Sequence, residues 1–206
     1  MAQENASASA KRRYHHGDLR ETLIDATHRL LVERGADGFS LADACRLAGV
    51  TTAAPYKHFR DKHEILQEIV ERGFDEMARR SDEAVKAAGE GTLAGIIAMG
   101  QAYLDFAVAE TAVFRLMFGQ NPAVKKAVEV ETSGRACFSG VIAQVELYCT
   151  RNSIPGDAKR LALELWTLVH GAACLTIDRD YEKVAPGFDA SALIASVTPR
   201  LLTSKA

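Results

Sequence analysis

Apolar residues recur every three or four positions along most of this sequence, and that spacing constrains the fold more than any other feature. Residues spaced in this way share one face of an α-helix. One stripe comprises Leu19, Leu23, Ala26, Thr27 and Leu30, and a longer one comprises Ile65, Leu66, Ile69, Val70, Phe74 and Met77. No segment shows sustained alternation between apolar and polar residues, so the sequence predicts an all-α fold.

Capping residues mark the ends of the first predicted helices. At each start, a residue able to cap a helix stands three positions before a carboxylate, and a glycine stands where two of the helices end. The starts are Asp18 with Glu21, Ser40 with Asp43, and Asp61 with Glu64, and the ends are Gly35 and Gly49. Further helices are predicted at 93–110, 112–118, 122–151, 157–178 and 189–204, with loops such as YEKVAPGF between them.

Composition favours an ordinary globular protein. With 206 residues, 48% hydrophobic, the chain can bury a sizeable core. It contains no long uncharged apolar run and no apolar N-terminal leader segment, so we expect a cytoplasmic protein without a membrane partner. The scattered cysteines form no CxxC pair, which predicts buried thiols, or alternatively a redox switch, and neither metal nor cofactor. They are Cys45, Cys137, Cys149 and Cys174.

Positive charge is concentrated toward the N-terminus. Residues 1–62 contain 10 Lys and Arg against 8 Asp and Glu, whereas the remainder carries a net charge of −4. This small excess permits binding to nucleic acid without requiring it. The tract KRRYHHG at 11–17 is either a basic arm that reaches into a DNA groove or a solubilising tail.

The stretch GVTTAAPYKHF at 49–59 has the spacing of a helix-turn-helix. Predicted helices 41–48 and 52–59 flank a short turn that contains Gly49. Pro55 falls at the fourth position of the second helix, where it removes one hydrogen bond and leaves the helix start in place. Val50 and Phe59 supply the buried side of this helix, and the other side chains point outward.

The segment GVTTAAPYKHFRDKHEIL resembles the TetR family of bacterial transcriptional regulators, and the resemblance extends over about residues 14–75. It implies that Thr52, Ala53 and Ala54 lie at base edges of a major groove. It also implies that Tyr56, His58 and Lys62 hold phosphates. The predicted DNA-binding set is Thr51, Thr52, Ala53, Ala54, Tyr56, Lys57, His58 and Lys62.

A second resemblance lies in WTLVHG at 166–171, which is similar to the Trp–His–Gly element of one subgroup of TetR-family C-terminal domains. Membership implies a small-molecule pocket in this region. The predicted lining is Tyr103, Phe106, Phe114, Phe118, Trp166 and His170. The alternative for all six residues is that they only pack in the core. For His170, this alternative is a buried ring that donates a hydrogen bond to a backbone carbonyl.

Two C-terminal helices carry apolar stripes suited to pairing with a second copy of the chain. The stripe on 157–178 repeats at four-three spacing, which is typical of helix packing. The predicted dimer contacts are Leu161, Leu165, Leu168, Ala172, Leu175, Leu193, Val197 and Leu201. These helices would form a four-helix interface with their symmetry mates.

Two other classes of function fit the sequence less well. An enzyme would need a catalytic constellation, and HEILQ at 63–67 lacks the second histidine of a zinc protease motif. A helical protein-interaction module would leave Tyr56, Lys57 and His58 without a purpose. The sequence therefore predicts a DNA-binding domain at 18–62 behind a flexible arm at 1–17, joined by a long helix to a ligand-binding and dimerisation domain at 63–206. The predicted function is a homodimeric repressor that an aromatic or amphipathic effector releases from a near-palindromic operator.

Overall fold

The computed structural model describes residues 19–121, 124 and 127–203, which form helices and turns without a strand. The predicted all-α fold is confirmed. Asp18, the predicted first cap, and the N-terminal arm at 1–17 lie outside the described residues. In chain order the helices are α1 (Leu19–Arg34), α2 (Leu41–Ala48), α3 (Lys62–Ala88), α4 (Leu93–Ala109), α5 (Thr111–Phe118), α6 (Val128–Asn152), α7 (Ala158–Ile177), α8 (Asp180–Val184) and α9 (Ala190–Thr203).

Local capping fixes the ends of α2 as the sequence predicts. The Asp43 backbone N–H donates to Ser40 Oγ, and the Asp43 carboxylate accepts from the Ser40 backbone N–H, so both halves of a capping box are present. Gly49 ends the helix with a φ of 70°, a left-handed conformation that glycine adopts without steric cost. A short turn therefore follows α2 directly.

The predicted α-helix at 52–59 is wrong, because only Pro55–Lys57 is helical and it forms a 3-10 turn. Pro55 has no N–H, so the bond that would join it to the Thr51 carbonyl cannot form. Ala54 N–H donates to Thr51 O at 3.0 Å, and Phe59 N–H donates to Pro55 O at 2.9 Å. The segment is thus a series of tight turns.

Helix α3 runs from the N-terminal helices into the C-terminal bundle. Asp61 caps its start by accepting from the Glu64 N–H at 3.1 Å, as the sequence predicts. The N-terminal part of α3 packs against α1, and the part that follows packs against α4, α5 and α6. Its apolar stripe is buried along this length, so one continuous core joins the N-terminal helices to α5 and to part of α7.

The C-terminal bundle is built around α4 and α7, with α9 packed on both. Helices α4 and α5 meet at a bend of 105°. Helix α6 begins at Val128, later than the predicted position 122, and the short α8 occupies part of the predicted YEKVAPGF loop. Among the described helices, α7 is long and apolar enough to cross a membrane, and so are α4 and α5 if counted as one span. The α7 helix packs here within the bundle.

Candidate nucleic-acid interface and ligand cavity

The turns after α2 present polar and small side chains to solvent while two apolar side chains anchor them. Pro55 is buried, and Phe59 is buried in the core that includes residues of α1 and α3. Tyr56 is 65% exposed, which is unusual for a large aromatic side chain. The other exposed members of the predicted DNA-binding set are Thr51, Thr52, Ala53, Lys57 and His58, whereas Ala54 is half-buried. This anchored, donor-rich surface, residues 51–58, is called the contact segment below.

Lys62 differs from its neighbours in the predicted set. Its ammonium is half-buried and donates to Ala36 O at 2.9 Å and to Phe39 O at 2.8 Å. The same group lies 4.8 Å from the centroid of the Phe39 ring, within the range of a cation–π contact. Two of its three N–H groups therefore hold the turn between α1 and α2. A phosphate contact from the third stays a prediction.

A charged network fixes α1 on α3 beside the contact segment. Arg20 donates to both Glu68 carboxylate oxygens, at 3.2 and 2.5 Å, and Arg72 donates to both Glu21 oxygens, at 2.6 and 2.7 Å. The hydrogen bond from Arg72 lowers the pKa of Glu21, and that from Arg20 lowers the pKa of Glu68. Two bidentate pairs restrict rotation of one helix against the other. The contact segment is thus positioned by salt bridges as well as by its core.

A cavity of about 720 Å³ lies within the C-terminal bundle, a size that accepts a drug-like molecule. Its walls come mainly from α3, α4, α6 and α7. Five aromatic side chains line it: Phe74, Tyr103, Phe118, Phe138 and Trp166. The structure thus brings three of the predicted ligand-binding residues, Tyr103, Phe118 and Trp166, to one cavity.

The other three predicted ligand-binding residues do not line this cavity. Phe106 and Phe114 are each 1% exposed and belong to the core around α5, because their helix faces point toward α3 and α7 rather than into the open space. His170 lies behind the wall, one turn from Trp166. Phe106, Phe114 and His170 therefore lie outside the lining of this cavity, and their part in ligand binding stays a prediction.

His170 belongs to a polar chain that orients Tyr103. The Tyr103 hydroxyl lies 2.8 Å from His170 Nδ1 and accepts from Trp166 Nε1–H at 3.4 Å, while His170 Nε2 lies 3.6 Å from Cys174 Sγ. Burial lowers the pKa of His170 and raises the pKa of Tyr103, which favours the neutral form of both. Since the indole can only donate, the tyrosine proton is directed to Nδ1 of the imidazole. The chain fixes one wall of the cavity.

Two acidic residues on the cavity wall were not predicted from the sequence. Asp75 and Asp82 lie on α3, and Cys137 lines the cavity from α6. The two aspartates are seven positions apart, which places them on one helix face beside the apolar stripe. That spacing was visible in the sequence, but nothing local showed that this face borders a cavity.

The predicted dimer residues divide into two groups. Leu161, Leu165 and Ala172 are buried in the core of the protomer, and their place in a dimer interface stays a prediction. Their edge of the α7 stripe turns inward, and the edge with Leu168 and Leu175 turns toward solvent. The members that remain accessible are Leu168, Leu175, Leu193, Val197 and Leu201, of which Leu175 is 41% exposed and the others are half-buried.

Two family profiles match this chain. Residues 23–69 match the bacterial regulatory proteins of the tetR family, and residues 96–197 match the tetracyclin repressor-like C-terminal domain. A solved structure described as a protein with unknown function from Rhodococcus sp. RHA1 is 32% identical, with a TM-score of 0.81, over 93% of this chain and 97% of that one. The chain belongs to the TetR family.

Curated transcriptional regulators are also similar to this chain in sequence. The HTH-type transcriptional regulator TtgR of Pseudomonas putida is 24% identical over 163 residues, which are 75% of this chain and 78% of the relative. AcrR of Shigella flexneri is 37% identical over 54 residues, 26% of this chain and 25% of AcrR. A TetR/AcrR regulator from Thermobifida fusca YX-ER1 shares the fold, with a TM-score of 0.66 at 22% identity, over 92% of this chain and 99% of that one.

The TetR-family assignment makes this protein a DNA-binding transcriptional regulator and not an enzyme. Regulators of the family bind operator DNA and small-molecule effectors and form dimers. Across residues 19–121, 124 and 127–203, no group of three or more His, Cys, Asp or Glu side chains is arranged to hold a metal ion.

Proposed function

We propose that this TetR-family regulator is a homodimeric repressor that leaves a near-palindromic operator when an amphipathic or aromatic molecule enters the cavity. In this proposal residues 18–62 bind DNA, and residues 63–206 hold the effector and the second protomer. Because the proposed partner is bacterial DNA, this proposal places the protein in the cytoplasm. The contact segment supplies base contacts through Thr52 and Ala53 and phosphate contacts through its exposed donors.

The observation that carries this proposal is that α3 takes part in both sites. Ile65 and Leu66, near its start, are buried in the core under the contact segment, and Phe74 and Met77, farther along, line the cavity. A ligand that favours one position of Phe74 or Met77 therefore biases the position of the whole helix. It shifts the population of the DNA-binding state by the difference in its affinity for the two states.

Helices α7 and α9 supply a face for the second protomer. A Cβ on Gly171 would have no atom within 4 Å, so no other part of the protomer covers α7 at this point between Leu168 and Leu175. A small residue there allows a second helix to approach closely, and Leu193 and Val197 extend the apolar surface on α9. A two-fold interface at this face would present two contact segments to symmetric half-sites of DNA.

Selection of binding sites from random duplex DNA tests the proposal directly. The expected result is an enriched, near-palindromic sequence that the protein binds more weakly as salt rises. Tyr56→Ala and His58→Ala should weaken binding to enriched and unrelated duplexes alike, while Lys86→Ala, an exposed change at the far end of α3, should not. Failure to enrich any symmetric site would contradict the proposal.

Release by an effector is tested on the enriched duplex. A compound that lowers operator affinity should also change the emission of Trp166, the single tryptophan of the chain, because this side chain lines the cavity. The two effects should share one concentration dependence. Release without any change in Trp166 emission would place the effector elsewhere.

A further inference from the structure

The cavity wall formed by α3 carries two carboxylates that the DNA-binding site does not use. Asp75 and Asp82 both line the cavity, and both are exposed to solvent. They are seven residues apart and so lie on the same helix face, about 10 Å apart along the axis. Within the described part of the chain, no lysine, arginine or histidine forms a salt bridge with either one.

The other charged residues of the lining do not neutralise these carboxylates. Glu131 and Arg135 form a salt bridge with each other at 2.7 Å on α6. Lys159 lines the cavity from α7, and α4 and α6 each pack against both α3 and α7, so α3 and α7 form opposite walls. The charge beside α3 is therefore negative.

Cys137, a thiol on the cavity wall, lies within electrostatic reach of both carboxylates. Burial raises the pKa of Cys137 to about 11, and the charges of Asp82 and Asp75 add to that rise. Both carboxylates thus act on one point of the α6 wall, which means that their fields overlap inside the cavity. A cation at that point would be stabilised by both.

The rest of the lining suits the apolar body of a ligand. Phe118, Trp166 and Tyr103 form an aromatic end, and aromatic faces also attract cations. We infer that the effector is an amphipathic organic cation, with its apolar body among these rings and its ammonium or related group beside Asp75 and Asp82. This inference rests on the proposed role of the cavity as the effector site.

Tetraphenylphosphonium and tetraphenylborate test the inference, because they have nearly the same shape and opposite charge. Binding is measured by calorimetry and by the emission of Trp166. The phosphonium should bind more tightly than the borate. Asp75→Asn and Asp82→Asn should each weaken phosphonium binding by about fivefold, the size expected for one partly solvated charge, and should strengthen borate binding.

Glu83→Gln is the matched control, since it removes a carboxylate next to Asp82 on α3 that does not line the cavity and pairs with Arg79 instead. It should leave both affinities unchanged. Equal affinity for the two ions, tighter binding of the borate, or no binding of either would overturn the inference. An equal effect of the control and the Asp82 change would overturn it as well.

Cys137 provides a second measurement that does not depend on ligand size. Methanethiosulfonate reagents form a mixed disulfide with a thiolate and release methanesulfinate. The trimethylammonium-ethyl reagent should modify Cys137 faster than the sulfonatoethyl reagent. In the double variant Asp75→Asn/Asp82→Asn, the ratio of these two rate constants should fall toward the ratio measured for free cysteine. Cys137→Ser identifies the contribution of this thiol. A ratio that favours the anionic reagent, or that ignores the aspartates, would overturn the inference.

These measurements use the free protein, so they separate the inference from the proposed function. Phosphonium binding that depends on the aspartates, with no effect on operator affinity, would support the cavity chemistry and count against effector control. Selective operator binding with a cavity that rejects the cation would support the DNA-binding role and overturn the inference.

Discussion

Lys57 and Lys62 distinguish side chains that contact DNA from those that position the contact segment. Lys57 is exposed, whereas the ammonium of Lys62 donates to the carbonyls of Ala36 and Phe39 at 2.9 and 2.8 Å. Methionine is the replacement for each, because it retains an unbranched apolar side chain and removes the charge. We expect Lys62→Met to act mainly on folding and Lys57→Met only on DNA binding.

The magnitudes follow from the contacts that each change removes. Lys62→Met loses two charged hydrogen bonds and the contact with the Phe39 ring, and the carbonyls it leaves are near enough to solvent to be partly rehydrated. The free energy of unfolding should fall by about 2–3 kcal/mol, which lowers Tm by about 4–12 °C in a protein of this size. Lys57→Met should change the unfolding free energy by less than about 0.5 kcal/mol.

Two assays separate the outcomes. Thermal unfolding is followed by circular dichroism at one protein concentration, because dimerisation makes Tm depend on concentration. Operator binding is followed by fluorescence anisotropy over a series of salt concentrations, where Lys57→Met should reduce the slope of log K against log salt by about one. If Lys62→Met kept the wild-type Tm and its slope of log K against log salt fell by about one, Lys62 would be a phosphate ligand and not a residue that holds the turn between α1 and α2.

Three further predictions use the same assays and sedimentation. Thr27 is 0% exposed, and its hydroxyl has no hydrogen-bond partner among the residues that the structure describes, so Thr27→Val should stabilise the fold by about 1 kcal/mol. Thr111→Val, which loses a hydrogen bond to Ala107 O, should not stabilise it, and equal effects of the two changes would contradict this prediction. Leu168→Glu should yield monomers that lose operator affinity, whereas Val108→Glu at an exposed site on α4 should sediment like the wild type. Ala53→Gln should change which duplexes are enriched in site selection, and an unchanged operator would remove this residue from the base contacts.

The sequence determined the helix ends correctly wherever short-range interactions control them. The capping box of Ser40 and Asp43, the left-handed Gly49 and the cap at Asp61 all appear as predicted. Each depends on residues no more than four positions apart, so its energetics do not depend on the rest of the fold.

One local prediction was wrong although its cause was visible. Pro55 was expected to remove one hydrogen bond from a helix at 52–59 that would otherwise form. A helix of this length has few bonds to begin with, and nucleation fixes several residues for each bond gained. Without the bond to the Thr51 carbonyl, the segment remains a series of turns that the burial of Pro55 and Phe59 holds in place.

The tertiary structure alone decided which side of each stripe faces the core, the cavity or solvent. The stripe on α7 was found from its spacing, yet Leu165 turned inward and Leu175 outward because α4 and α6 pack on one edge of that helix. His170 reaches Tyr103, a residue 67 positions away, and Lys62 reaches a turn 23 to 26 positions before it. Periodicity defines a helix face but carries no information about its partner, because that contact depends on helices distant in the chain that are brought together only when the whole core packs.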